Sequence, residues 1–221
     1  VTGSCRARLV VFAKEPAPGR VKTRLAAAIG AGRAAALYEA FLTDLAASLV
    51  APEWESVVSA DGGGAGRLEQ IFASGWSRVA QGSGSLGDRL ARAAASAFGD
   101  GARKVAVAGS DAPTLSVADV LRAFDVLDRA DVAAAPSPDG GFSLAALRIP
   151  VDPSGLFRRV RWSTAEALPD LRRNAAAARI GLALLPEIPD VDVPGDLPAL
   201  RRRLSAEEGL APATKAVLET L

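Results

Sequence analysis

The stretch Leu9-Val-Val-Phe-Ala-Lys-Glu-Pro-Ala-Pro-Gly-Arg-Val-Lys-Thr-Arg24 decides the fold. Leu9–Ala13 is a short apolar run with no polar alternation, which predicts a strand buried on both faces. The loop after it carries four cations, Lys14, Arg20, Lys22 and Arg24, within eleven residues. Gly19 lets backbone approach a ligand closely, and Pro16 and Pro18 stiffen the chain. Cations and free backbone amides ahead of a helix form a cradle for a polyphosphate. The Gly-x4-Gly-Lys spacing of a Walker loop is absent. Ala13, Lys14, Gly19, Arg20, Lys22 and Arg24 are therefore the candidate nucleotide-binding residues. A solvated basic loop is the alternative reading.

Outward from this strand the chain alternates. Leu37, Phe41, Leu45 and Leu49 recur every four positions and predict a helix over 32–50. Val57–Ala60 predicts a strand ended by the break Asp61-Gly-Gly-Gly64. A short helix at 68–73, a weak strand at 78–80, a helix at 86–98 and a clear strand at 104–108 follow. Ser116, with Asp119 three residues on, predicts a capped helix to Leu127. Strands at 131–135 and 141–147 come next. Ser163 with Glu166 predicts a capping box for another helix. A strand at 180–185, a helix at 195–204 and a last turn or two beyond Ala213 complete the chain. Neither repeat nor linker divides it, so one domain is expected over 1–221. The alternation predicts an α/β fold with a mostly parallel central sheet and helices on both faces. Such sheets bind ligands at the carboxyl ends of their strands.

Composition narrows the chemistry. A chain of 221 residues that is 49% apolar buries a sizeable core. A net charge of +1 gives no global field for nucleic acid. The absence of histidine excludes His-based nucleophile systems and His-ligated zinc. Cys5, the one cysteine, excludes an intramolecular disulfide and a thiolate metal cluster, and is read as incidental. No apolar run approaches the roughly 20 residues that span a bilayer. Residues 1–8 do not resemble a secretory signal, because Arg6 and Arg8 precede only a five-residue apolar run. The expectation is a cytoplasmic protein without membrane or nucleic-acid partners; oligomeric state is not legible.

Two more strand ends carry chemistry. In Val105-Ala-Val-Ala-Gly-Ser-Asp-Ala-Pro-Thr-Leu115, Asp111 stands just past a buried strand. One carboxylate there suits Mg²⁺, which prefers few protein ligands plus substrate phosphates; an Asx turn is the alternative. Pro136-Ser-Pro-Asp-Gly-Gly-Phe-Ser143 supplies Asp139, Gly140 and Gly141 as acceptor-side candidates, though the same residues suit a plain β-turn. In Pro189-Asp-Val-Asp-Val-Pro-Gly-Asp196, Asp190 and Asp192 alternate. In extended chain both face one side and could share a cation. Alternatively Asp192 caps the helix that Pro194 and Gly195 open.

Val11–Leu25, Gly84–Leu90, Gly109–Leu115 and Pro138–Ser143 together resemble the bacterial family DUF2064, the radical-SAM/selenodomain-associated transferase 1 group. Phe157, Trp162–Thr164, Asp190–Leu197 and Pro212–Lys215 extend the resemblance along nearly the whole chain. That family is similar to the nucleotide-diphospho-sugar transferases, with a GT-A-type Rossmann-like fold, and more distantly to phospholactate and molybdenum cofactor guanylyltransferases. The resemblance implies that the first loop holds base and phosphates, that Asp111 binds Mg²⁺ or Mn²⁺, and that Asp192 is the second metal ligand. Two departures stand out. Ala112 replaces a common Cys, so a thiol there is not essential; Phe142-Ser143 replaces two common tyrosines, which leaves the acceptor contacts open.

Two transfers fit. In nucleotidyl transfer, a small phosphorylated acceptor attacks a nucleoside triphosphate; in glycosyl transfer, a hydroxyl attacks the sugar of a nucleotide sugar. Four loop cations exceed the needs of a diphosphate, and Gly109-Ser-Asp111 has one Asp where metal-dependent glycosyltransferases commonly have Asp-x-Asp. Both features tilt toward nucleotidyl transfer, whereas the family naming tilts toward glycosyl transfer. Either reaction runs on positioning and charge stabilisation. Lys22, Arg24 and Asp111 are the catalytic candidates, with Lys14 near the β/γ-phosphates and Asp139 orienting a small-molecule acceptor. A non-catalytic nucleotide-binding module is the reading from another class.

Overall fold

The computed structural model describes residues 7–61 and 66–221, so Cys5 and the glycine break at 62–64 lie outside the described residues. The first apolar run forms β1 (Ala7–Lys14). Then come α1 (Thr23–Ile29), α2 (Ala31–Ser48), β2 (Trp54–Asp61), α3 (Arg67–Ile71), β3 (Trp76–Ala80) and α4 (Leu86–Gly99). The second half holds β4 (Lys104–Gly109), α5 (Val117–Val126), β5 (Val132–Pro136), β6 (Phe142–Arg148), α6 (Pro153–Phe157) and α7 (Ala167–Ala177). It ends with β7 (Leu182–Leu184), a 3-10 turn (Pro194–Asp196), α8 (Leu197–Ala206) and α9 (Pro212–Leu218).

The strands form one sheet in the order β3-β2-β1-β4-β6-β5-β7. Neighbours pair in parallel except around β6, which runs antiparallel to both β4 and β5. Residues 137–141 alone separate β5 from β6, too few for the crossover that a parallel pair needs. β1 is covered on both sides, which explains its lack of alternation. Leu9 and Val11 pack with Leu45 and Leu49 of the α2 end and with Val120 and Phe124 of α5. Val10 and Phe12 pack with Leu90, Leu156 and Leu171 of α4, α6 and α7. Leu37, Phe41, Leu45 and Leu49 are all fully buried, so the four-residue repeat marks the core face of α2.

α9 is pinned to α2. The buried Asp44 carboxylate accepts from the amides of Ala213 and Thr214 and from the Thr214 hydroxyl, at 2.9, 2.8 and 2.6 Å. This gives the Pro212–Lys215 stretch a fastening role. Ser116 and Asp119 do form the expected capping box on α5. Ser163 does not cap α7: it has φ 59°, and the helix begins only at Ala167 with no side-chain cap. Glu166 instead pairs with Arg161, and the Thr164 hydroxyl accepts from the Glu166 amide. α1 and α6 were not expected. α1 buries only Leu25 and α6 is five residues long, so neither shows a period. Among the described residues no helix is long and apolar enough to cross a membrane.

Candidate functional site

β1 and β4 are neighbours, so the loops leaving their carboxyl ends meet. Tyr38 of α2 fastens them together. Its buried hydroxyl accepts from the Lys14 amide at 3.0 Å and shares a 2.7 Å hydrogen bond with Ser110 Oγ. Burial first, then the Asp111 charge, raises the Tyr38 pKa, so it remains a neutral phenol. The segment after β7 is drawn to the same point by the hydrogen bond from the Val191 amide to the Asp111 carbonyl, at 3.0 Å. Asp196, not Asp192, accepts the free amides there, from Asp192 and Val193 at 2.7 and 2.8 Å. That leaves the Asp192 carboxylate free to face the cleft.

Lys22 sits where these segments converge. Its φ of 47° is left-handed, a conformation that costs an L-residue about 1–2 kcal/mol and concentrates at functional sites. The ammonium donates to Val191 O and Asp192 Oδ1, both at 2.7 Å, and pairs with Asp111. It lies 5.8 and 5.6 Å from the ring centroids of Tyr38 and Phe41. Burial is the largest influence on Lys22 and pulls its pKa down, but Asp111 and Asp192 outweigh it, so the net shift is upward. The lysine side chain is 3% exposed, whereas Asp111 and Asp192 remain 45% and 43% exposed toward the cleft.

The cleft has two compartments that meet at this knot. The larger, about 480 Å³, is basic: Lys14, Arg20, Lys22, Arg24 and Arg89 line it. The smaller, about 180 Å³, has walls that include Phe12, Leu90, Val107 and Phe142 and a rim that includes Asp139 and Asp190. Asp111, Asp192 and Trp162 line both. Among the described residues no Lys or Arg lines the smaller one. Asp190 shows the resulting field: burial first, then Asp139, Asp192 and Asp111, push its pKa up to about 7. Trp162 stands edge-on to Phe142 with centroids 5.7 Å apart. Its segment can lie this close because two glycines give way. A Cβ on Gly87 would be 2.6 Å from Phe157 O, and one on Gly140, at φ 87°, would be 2.6 Å from the Ala165 backbone.

Of the sequence candidates, Lys14, Arg20, Lys22 and Arg24 all line the larger compartment. Ala13 is buried beneath it, its carbonyl accepting from Gln81 Nε2 at 3.2 Å, and Gly19 turns the loop at φ 76° without lining the cavity. Asp139 and Gly141 line the smaller compartment, with Gly140 behind them. Asp139 Oδ1 also closes the β-turn, accepting from Ser137 Oγ at 2.5 Å and the Gly141 amide at 2.8 Å. Tyr38, Gln81 and Arg89 were missed. Gln81 ties Ala13 to Ser59, and Arg89 donates to Gln81 Oε1 at 2.7 Å. A usable signal existed for one of them: Tyr38 is the sole tyrosine and sits on the apolar face of α2.

Asp111 and Asp192 already converge on one cationic point, the Lys22 ammonium, and their hard oxygen donors suit Mg²⁺ or Mn²⁺. Among the described residues no group of three or more His, Cys, Asp or Glu side chains is arranged to hold a metal. Two carboxylates alone would leave most of such a metal's shell to other donors.

Residues 44–164 match the family described as "Uncharacterized protein conserved in bacteria (DUF2064)". No curated protein matches the chain. A candidate nucleotide-diphospho-sugar transferase from Desulfovibrio desulfuricans G20 has a similar crystal structure. It is 30% identical with a TM-score of 0.88, over 97% of this chain and 94% of that one. CMP:2-keto-3-deoxy-manno-octonic acid synthetase with CTP is 18% identical at a TM-score of 0.53, over 92% of this chain and all of that one. A cytidylyltransferase from Leptospira borgpetersenii is 11% identical at a TM-score of 0.56, over 97% of this chain and 92% of that one. The last two share the fold alone. With a match across more than half its length and a 30% identical relative along nearly all of it, the chain belongs to the DUF2064 family.

Proposed function

We propose that this chain is a nucleotide-binding transferase, and specifically a metal-assisted glycosyltransferase that uses a nucleotide-sugar donor. The observation that carries this reading is the division of the cleft by charge. A diphosphate suits the compartment lined by Lys14, Arg20 and Arg24. The transferred group then lies past Asp111 and Asp192, in a space with carboxylates and no cation. A phosphorylated acceptor would be repelled there, which weighs against the nucleotidyl transfer favoured by a bare count of loop cations. Lys22 also drops out of that count, because its ammonium is committed to two carboxylates. The name of the 30% identical relative supports the same reading.

In the reaction, an acceptor hydroxyl attacks the anomeric carbon, a new C–O bond forms, and the bond from that carbon to the diphosphate breaks. The nucleoside diphosphate leaves with the electron pair, and the hydroxyl proton passes to water. Arg24 and Lys14 stabilise the charge that develops on the diphosphate, and Lys22 holds the Asp111 and Asp192 carboxylates in register. A divalent metal held by Asp111 and Asp192 would add Lewis-acid neutralisation of the leaving group. The cations Lys14, Arg20 and Arg24 keep nucleotidyl transfer from a triphosphate as the second reading. Matched binding measurements separate the two. Each charge-assisted contact is worth roughly 1.5–3 kcal/mol, so Arg24→Ala should weaken nucleotide-sugar binding about ten-fold. Triphosphate binding with no affinity for any nucleotide sugar would overturn the first reading in favour of the second.

A further inference from the structure

We infer that the smaller compartment selects an uncharged, hydroxyl-rich sugar on the donor, with Asp139 as a specificity-determining residue. This rests on the glycosyl-transfer reading. Asp111, Asp139, Asp190 and Asp192 line the cavity. Lys22 pairs with Asp111 and Asp192, and no Lys or Arg among the described residues lines the cavity, so Asp139 has no cation beside it. An anionic sugar placed beside Asp139 therefore meets like charge in a space partly shielded from water. Sugar hydroxyls are suited to it, because ionised carboxylates only accept hydrogen bonds. Phe12, Leu90, Val107 and Phe142 supply the apolar wall against which the C–H face of a sugar ring packs.

Asp139 differs from its neighbours in what holds it. Asp111 and Asp192 are tied to Lys22, whereas Asp139 spends Oδ1 on the turn contacts to Ser137 and Gly141 and keeps Oδ2 for the cavity. Its backbone lies in the tight turn between β5 and β6, which the Asp139 contacts to Ser137 and Gly141 hold closed, so the carboxylate is fixed beside the apolar wall. An Asn in its place keeps an acceptor oxygen for both turn contacts while removing the charge.

The test is equilibrium binding, with Mg²⁺ present, of two matched pairs that differ by one carboxylate: UDP-glucose against UDP-glucuronate, and GDP-mannose against GDP-mannuronate. Wild type should bind the hexose at least about ten-fold more tightly in the pair whose base it accepts, with the gap narrowing as salt is raised. In Asp139→Asn the gap should fall to about three-fold or less through a gain in hexuronate affinity. Equal binding of hexose and hexuronate by wild type overturns the inference and leaves glycosyl transfer standing. A gap undiminished in Asp139→Asn removes that residue from the role. Failure of every nucleotide sugar to bind overturns the glycosyl reading itself, and the inference with it.

Discussion

Lys22 shows what a residue's neighbours add to its identity. Its charge and its place in a basic loop are legible in the sequence, and both point to phosphate. Its partners are not, because Asp192 lies 170 positions away and only the folded sheet brings the two together. The same holds for Tyr38, whose hydroxyl joins two strand ends that sequence spacing leaves unrelated. Asp170 provides a prediction at this scale. It is buried, and hydrogen bonds first from the Arg161 guanidinium and then from the Arg161 amide hold its carboxyl well below the usual range. A depressed folded pKa contributes stability that is present above the unfolded value near 3.9 and is lost as pH falls toward the folded one. Wild type should therefore lose stability steeply below about pH 4. Asp170→Asn should be less stable at neutral pH, with a shallower acid limb. Arg161 is more than half exposed, so solvent screening leaves the amide contact as the more durable part. Denaturation curves that run parallel at every pH would show that Asp170 is not the group responsible.

At the scale of elements, long amphipathic or apolar segments were legible and short ones were not. The repeat at Leu37, Phe41, Leu45 and Leu49 carries a helical period and the run at Leu9–Ala13 is apolar without a break, both set by burial, and both formed as expected. α1 is seven residues long and buries only Leu25, and α6 is capped by Asp152 over a single turn, so neither had a period to read. Ser163 failed as a cap because the Trp162–Ala165 segment packs on Gly87 and Gly140 across the cleft, and that tertiary contact overrides local capping chemistry. β6 was read as a strand, but its antiparallel direction follows from loop length rather than from its own residues. The fastening of α9 to α2 gives the prediction here. Asp44→Ala removes three hydrogen bonds to a buried carboxylate and strands two amides at the start of α9. The expected cost is on the order of 2–4 kcal/mol, read as a lower urea midpoint with an unchanged slope. Asp44→Asn should fall between the two, since one acceptor oxygen survives. A loss below about 0.5 kcal/mol in Asp44→Ala would mean that α9 docks by its apolar contacts alone.

For the whole molecule, the sheet order matters most. β4 at the centre, with β1 beside it, brings the basic loop and Asp111 to one end of the sheet, and the chain after β7 returns to add Asp192. A cation-rich space, a lysine–carboxylate knot and an acidic space then follow one another across the cleft. On the glycosyl-transfer proposal, that sequence of charges would set the donor's anionic diphosphate behind the bond to be broken and its neutral group ahead of it. The most direct measurement follows the nucleotide product when purified protein is incubated with Mg²⁺ and either a nucleotide sugar or the matching nucleoside triphosphate, with water as the acceptor. The expected result is slow release of nucleoside diphosphate and free sugar from the nucleotide sugar, abolished in a stably folded Asp111→Asn variant. Release of pyrophosphate from the triphosphate, with the nucleotide sugar left intact, would contradict glycosyl transfer.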